Sequence, residues 1–115
     1  MKTYLCALNP SGDPLDDVTV FVREDDRRDR ALGLRLDLRN HSPTGFAWGY
    51  GGSGPSQLAL AILADVIGDE RALDLYQSFK FEIIACQPRD AGFTLTEAQI
   101  RAWVETQPPS ASERI

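Results

Sequence analysis

Two alternating runs stand out along the chain. Val18, Val20 and Val22 alternate with Thr19 and Phe21, and Leu32, Leu34, Leu36 and Leu38 alternate with Gly33, Arg35, Asp37 and Arg39. A period of two places each set on one face of a strand, whereas a helix would scatter it around its circumference. The spacing predicts strands over residues 18–22 and 32–38. A third strand is expected over residues 4–8, ended by the turn-forming residues 9–14, which include Asn9, Pro10, Gly12 and Pro14. The aromatic segment 46–50 predicts a fourth, after a turn over residues 40–45, and the apolar segment 81–86, bounded by Pro88, a fifth.

The pattern then changes period. From Gln57 to Ile67 apolar residues cover almost every direction, and Asp65 is the only charge among them. That composition predicts a central, buried helix with Pro55 in its first turn and Gly68 as its stop. Asp69 is expected to cap a second helix whose apolar face carries Ala72, Leu73, Leu75, Tyr76 and Phe79. Thr96 and Gln99 have the spacing of a capping box, with Leu95 placed to staple to Ile100, so a last helix is expected there with Trp103 and Val104 on its stripe. The elements together predict an α+β fold: an antiparallel sheet of about five strands with a buried αα-hairpin and a C-terminal helix. Residues 1–106 are expected to form one domain, and residues 107–115, which lack a core-forming pattern, a flexible tail.

Composition agrees with one self-sufficient core, since the 115 residues are 43% hydrophobic and 25% charged. The net charge of −5 opposes nonspecific attraction to nucleic acid or an anionic membrane. The 17 acidic residues are interleaved with 12 basic ones, which also argues against DNA mimicry. In residues 23–30 four acidic and four basic side chains cancel one another's field, the pattern of a solvated hairpin connection. Cys6 and Cys86 lie in apolar stretches without a Cys/His cluster, so two buried thiols, no metal and no cofactor are expected. With no leader pattern at the N-terminus and an apolar run, 58–64, too short to span a bilayer, a cytoplasmic setting is expected.

The candidate chemistry lies between the aromatic segment and the buried helix, at Gly49, Tyr50, Gly51, Gly52, Ser53, Gly54 and Pro55. Glycines at a helix start leave backbone N–H groups open to an anion. Ser53 or Ser56 can add a hydroxyl, and Arg39, His41, Trp48 and Tyr50 a counter-charge and a stacking surface. The candidate ligand-binding set is therefore Arg39, His41, Trp48, Tyr50, Gly51, Gly52, Ser53, Gly54 and Ser56, for an anionic or nucleotide-like small molecule. The plainer alternative is a tight corner whose glycines serve close packing, with Trp48 and Tyr50 in the core.

Three sharper motifs fail at named positions. Gly49, Gly51 and Gly54 have dinucleotide-fingerprint spacing, but a helix follows the next turn where a Rossmann unit needs a strand. A P-loop is excluded by the missing Gly-Lys-Ser/Thr ending. Ser53 sits where a nucleophile elbow would place its serine, but Pro55 replaces the last glycine, no acid is singled out for His41, and an exposed turn histidine is the simpler description. No catalytic residue is assigned. A protein-interaction or inhibitor surface, with the loop purely structural, is the competing function, and homo-oligomerisation is open.

His41-Ser42-Pro43, Gly45-Phe46, the string 48–55 (Trp-Gly-Tyr-Gly-Gly-Ser-Gly-Pro) and Gln57 with the apolar residues after it resemble a small uncharacterised family of bacteria and their phages, catalogued as domain of unknown function 6166. Tyr76-Gln77-Ser78-Phe79-Lys80-Phe81 continues the resemblance. It implies that the Gly-rich loop is the family's signature, and occurrence in phages implies a role in phage–host conflict as one setting. No reaction, ligand or catalytic residue comes with it. In the family the position of Ala47 is often acidic, and this chain has no carboxylate there.

Overall fold

The computed structural model describes residues 1–8 and 18–108. Four strands, β1 (Lys2–Leu8), β2 (Val18–Glu24), β3 (Arg30–Ala31) and β4 (Phe93–Thr96), form one antiparallel sheet in the order β3-β2-β1-β4. Three α-helices among the described residues complete the α+β fold: α1 (Ser53–Ile67), α2 (Asp69–Phe79) and α3 (Glu97–Glu105). No helix among the described residues is long and apolar enough to cross a membrane.

Alternation decides the core side of the sheet. Tyr4, Cys6, Val20 and Val22 point inward and are buried, whereas Phe21 stands 40% exposed on the other face. In the β1–β2 register Tyr4 pairs with Val22 and Cys6 with Val20, so the inward residues form one continuous patch. Against it lies α1, buried from Gly54 to Ala64. Helix α2 adds Ala72, Leu75, Tyr76 and Phe79, and α3 adds Ile100. The charged segment after β2 is a hairpin connection, as its mixed signs predict, and a bidentate pair from Arg23 to Asp29 closes it.

The sheet has four strands instead of about five, and the differences have local causes. Residues 32–38 form no strand; only Arg30 and Ala31 pair with β2. Leu32 and Leu38 pack on the core, but Leu36 is exposed, so the alternation does not make a common face. Arg35 takes φ +56° and closes a turn with the N–H of Leu38, while its guanidinium grips both Asp37 and Asp69. The turn, and the Gln57 carboxamide on the carbonyls of Leu34 and Arg39, supply backbone partners that a neighbouring strand would otherwise provide. Asp69 is consequently not the cap of α2. Gly68 holds the N-cap position, and Asp69 is the first helical residue.

Residues 46–50 are also irregular, because Gly45 and Gly49 take φ +146° and +85° and break the extended run. The expected strand 81–86 is a π-helical turn, Lys80–Ile84, that widens the end of α2. Its buried residues, Lys80 and Ile84, are four apart, a helical spacing hidden by the apolar composition. The unexpected strand is β4, where Phe93 and Leu95 are half buried and Thr94 and Thr96 exposed. Gly92 admits it to the sheet, since a Cβ there would stand 2.6 Å from the Cys6 carbonyl oxygen. The capping box is as expected: the Gln99 N–H donates to Thr96 Oγ1 (3.1 Å) and the Thr96 N–H to Gln99 Oε1 (2.9 Å). The turn over residues 9–14 and the tail from residue 109 lie outside the described residues.

Candidate functional site

The Gly-rich loop enters α1 at the side of the π-helical turn. Gly52 is the N-cap, and no side chain caps the helix. The first intrahelical bond runs from the Ser56 N–H to the Gly52 carbonyl (3.2 Å), and Pro55 has no N–H. The N–H groups of Gly52, Ser53 and Gly54 therefore have no acceptor among the described residues, and the first turn carries no acidic side chain. Such donors, with the positive end of the helix dipole behind them, favour an anion.

The glycines are also demanded by packing. A Cβ at Gly54 would lie 2.6 Å from the Ala47 Cβ, and one at Gly52 would lie 2.4 Å from the Tyr50 ring. Gly49, at φ +85°, donates its N–H to the Ile84 carbonyl (3.0 Å) and leaves room for Arg89, whose Cγ would be 2.3 Å from a Cβ. Gly51 faces the edge of Phe81. The loop is thus a tight corner whose N–H donors have no acceptor among the described residues, with Gly54 buried and Gly51 and Ser53 exposed.

Two exposed rings flank it, each carrying a cation. Arg89 lies over Tyr50, 4.7 Å from the ring centroid, and Lys80 Nζ lies 4.0 Å from that of Phe81. Tyr50 is 40% exposed and Phe81 59%. Beside Tyr50 a cavity of about 140 Å³ is lined by Leu8, Val18, Ala47, Trp48, Tyr50 and Arg89. Sequence reasoning missed Lys80 and Arg89, which sit far along the chain from the loop. The clue available was the Tyr76–Phe81 string, which carries the family resemblance.

The expected counter-charges are used elsewhere. Arg39 is exposed and donates to the Leu38 carbonyl (2.7 Å). His41 is half buried, not a free turn residue: its Nε2 is 2.8 Å from the Tyr76 hydroxyl, and no hydrogen bond joins it to Ser53 among the described residues. Trp48 belongs to the core, donating from Nε1 to the Ala91 carbonyl (2.9 Å) and meeting Phe93 edge-on. Ser56 is buried, with its hydroxyl on the Gly52 carbonyl. Of the nine expected site residues, Tyr50, Gly51, Gly52, Ser53 and Gly54 are gathered at the loop.

Gln57, the first residue of the apolar run, organises what lies behind the loop. It is fully buried, and its carboxamide makes four hydrogen bonds. Nε2 donates to the carbonyls of Leu34 (2.6 Å) and Arg39 (3.0 Å), and Oε1 accepts from the N–H groups of His41 (2.8 Å) and Ser42 (3.0 Å). One side chain thereby satisfies four backbone groups of an irregular segment packed against α1.

The two cysteines differ, contrary to the expected pair of buried thiols. Cys86 is exposed, whereas Cys6 is buried and burial pushes its thiol up to about 12. Among the described residues no group of three or more metal-ligating side chains is present.

The chain matches the family of unknown function DUF6166 over residues 11–106. It belongs to that family. The match spans the irregular segment held by Gln57, the Gly-rich loop, the π-helical turn and α3, and every residue lining the cavity except Leu8. No curated protein and no solved structure matches the chain.

Proposed function

We propose that this DUF6166 protein is a small non-enzymatic binding module whose Gly-rich loop receives an anionic group. The observation that carries this reading is the trio of N–H donors at Gly52, Ser53 and Gly54, without acceptors among the described residues and without an acidic side chain in the first turn. The neighbouring cations on Tyr50 and Phe81 add a positive field in a chain whose net charge is −5. Ligand pockets commonly run from roughly 300 to 1,000 Å³, and the cavity beside Tyr50 is about 140 Å³. It suits an anionic head group, with any base or ring of a nucleotide-like ligand lying outside it against Tyr50 or Phe81.

The test is a thermal-shift titration with nucleotides and nucleotide second messengers. Binding raises Tm with ligand concentration, and Ser53→Asp, which puts a carboxylate at the donors, abolishes the rise. A Tm indifferent to every anion tried, or a rise unchanged by Ser53→Asp, overturns the reading.

A protein-interaction surface is the second reading, favoured by the exposure of Tyr50 and Phe81 and by the cover over Gly52 and Gly54. Aromatic and arginine side chains anchor such contacts. Recovery of one stoichiometric partner that is lost with Phe81→Ser and retained with Ser53→Asp supports this reading over the first.

A further inference from the structure

Arg23, Arg30, Arg35 and Arg101 grip carboxylates and Arg39 and Arg71 hold carbonyls, whereas Arg89 meets neither among the described residues. It is nevertheless fixed in place. Its stem passes over Gly49, where a Cβ would collide with the Arg89 Cγ, and its guanidinium carbon lies 4.7 Å from the centroid of the Tyr50 ring. Both Tyr50 and Arg89 line the cavity of about 140 Å³. The other walls are Leu8 and Val18, which pair at the end of the β1–β2 register, Ala47, and Trp48, whose indole N–H is already used on the Ala91 carbonyl (2.9 Å). Among the described residues the lining thus holds one cation, one phenol hydroxyl and no carboxylate. An unpaired, positioned guanidinium at the wall of a cavity calls for an anion.

We infer that this cavity binds a small monocarboxylate, its two oxygens on the Arg89 guanidinium and the rest of the molecule against Leu8, Val18, Ala47 and Trp48. The inference rests on the proposed function only for the entry of an anionic head group into this cavity; none of Gly52, Ser53 and Gly54 lines it. One guanidinium matches the single charge and planar fork of a carboxylate. A phosphate monoester brings nearly two charges at neutral pH to a lining with a single cation. The cavity is also smaller than ordinary ligand pockets, which favours a compact acid of the size of isobutyrate.

The experiment is an NMR titration of the isotopically labelled full chain with isobutyrate, and with inorganic phosphate at equal ionic strength. With isobutyrate, the methyl signals of Leu8, Val18 and Ala47 and the Arg89 Nε signal move together and saturate; with phosphate they do not. Arg89→Met, which keeps an unbranched stem over Gly49, raises the half-saturating isobutyrate concentration about tenfold or more, the loss expected for one charge-assisted contact. Saturation at the same concentration in Arg89→Met, or cavity methyls that saturate while the Arg89 Nε signal stays still, overturns the role of Arg89. Equal saturation by phosphate overturns the carboxylate assignment. Cavity methyls that respond to neither anion overturn the site, and isobutyrate shifts confined to the amides of Gly52, Ser53 and Gly54 overturn it while leaving the loop reading standing. The Arg89 signal is read in the unaltered protein, so the outcome does not depend on how well the variant folds.

Discussion

The Tyr4 hydroxyl donates a 2.6 Å hydrogen bond to Asp65 Oδ2, joining β1 to the last turn of α1. Arg30 from β3 reaches both oxygens of the same carboxylate at 3.0 Å, and the Lys2 ammonium stands 3.4 Å away. The one charge of the buried helix is therefore compensated by side chains from two strands of the sheet.

This cluster contributes to both pH limits of stability, beside the buried Cys6 thiol on the alkaline side and the paired carboxylates of Asp29, Asp37 and Glu97 on the acid side. Burial works to raise the Asp65 carboxyl, but the hydrogen bonds from Tyr4 and Arg30 outweigh it and hold the group below its ordinary 3.8. Its contribution is present above that value and lost as pH falls through the lower folded one. The Tyr4 hydroxyl is pushed up from 10.0, by burial first and the Asp65 hydrogen bond second, so its contribution is full below pH 10 and lost at higher pH. Urea midpoints should be flat between about pH 5 and 9 and fall on both sides. Tyr4→Phe should cost about 1–3 kcal/mol at neutral pH and flatten the alkaline limb, and Asp65→Asn should make the acid limb shallower. An alkaline limb of unchanged steepness in Tyr4→Phe would assign it to other groups.

Gln57→Leu keeps the apolar volume and strands four backbone groups. The expected loss is about 3 kcal/mol or more by urea denaturation, because each buried unsatisfied group costs about 1–3 kcal/mol. Gln57→Glu should also be destabilised, since a carboxylate has no donor for the carbonyls of Leu34 and Arg39. A Leu variant within about 1 kcal/mol of the parent would mean that water replaces the carboxamide without loss.

Gly54→Ala should be destabilising by about 1–3 kcal/mol despite its better helix propensity, because the added methyl meets Ala47. Ala47→Gly in the same chain should recover part of the loss, and Gly33→Ala, where a Cβ meets nothing within 4 Å, should be close to neutral. Thermal denaturation of the parent, Gly54→Ala, Ala47→Gly and the double variant gives the coupling directly, and additive effects would deny the Ala47 contact.

The helices were legible because their signals are local. The all-round apolar run, the glycine after Ile67 and the Thr96/Gln99 box each specify an element within one or two turns. The strands were less legible wherever a distant group supplied the backbone's partners. The leucine alternation gave a face but could not reveal that Arg35 would turn the chain or that Gln57 would take the carbonyls of Leu34 and Arg39. The apolar stretch after Phe79 satisfied strand and helix patterns alike, and continuity with α2 decided it. At the site, the loop was visible from its glycines, while Arg89 arrives through a tertiary contact with Tyr50, and the adjacent pair Lys80 and Phe81 through the approach of the Phe81 ring to Gly51.

The wide turn at Lys80–Ile84 accommodates one residue more than an α-helical turn would. Its Ile84 carbonyl is the acceptor for Gly49, at the head of the Gly-rich string. Deleting a residue there would restore ordinary helical winding, rotate that carbonyl away from Gly49 and swing Phe81 off Gly51. The two most recognisable stretches of the chain, thirty residues apart in places, are for this reason a lock and its key. A change of length in either stretch would break both contacts, Gly49 with Ile84 and Gly51 with Phe81.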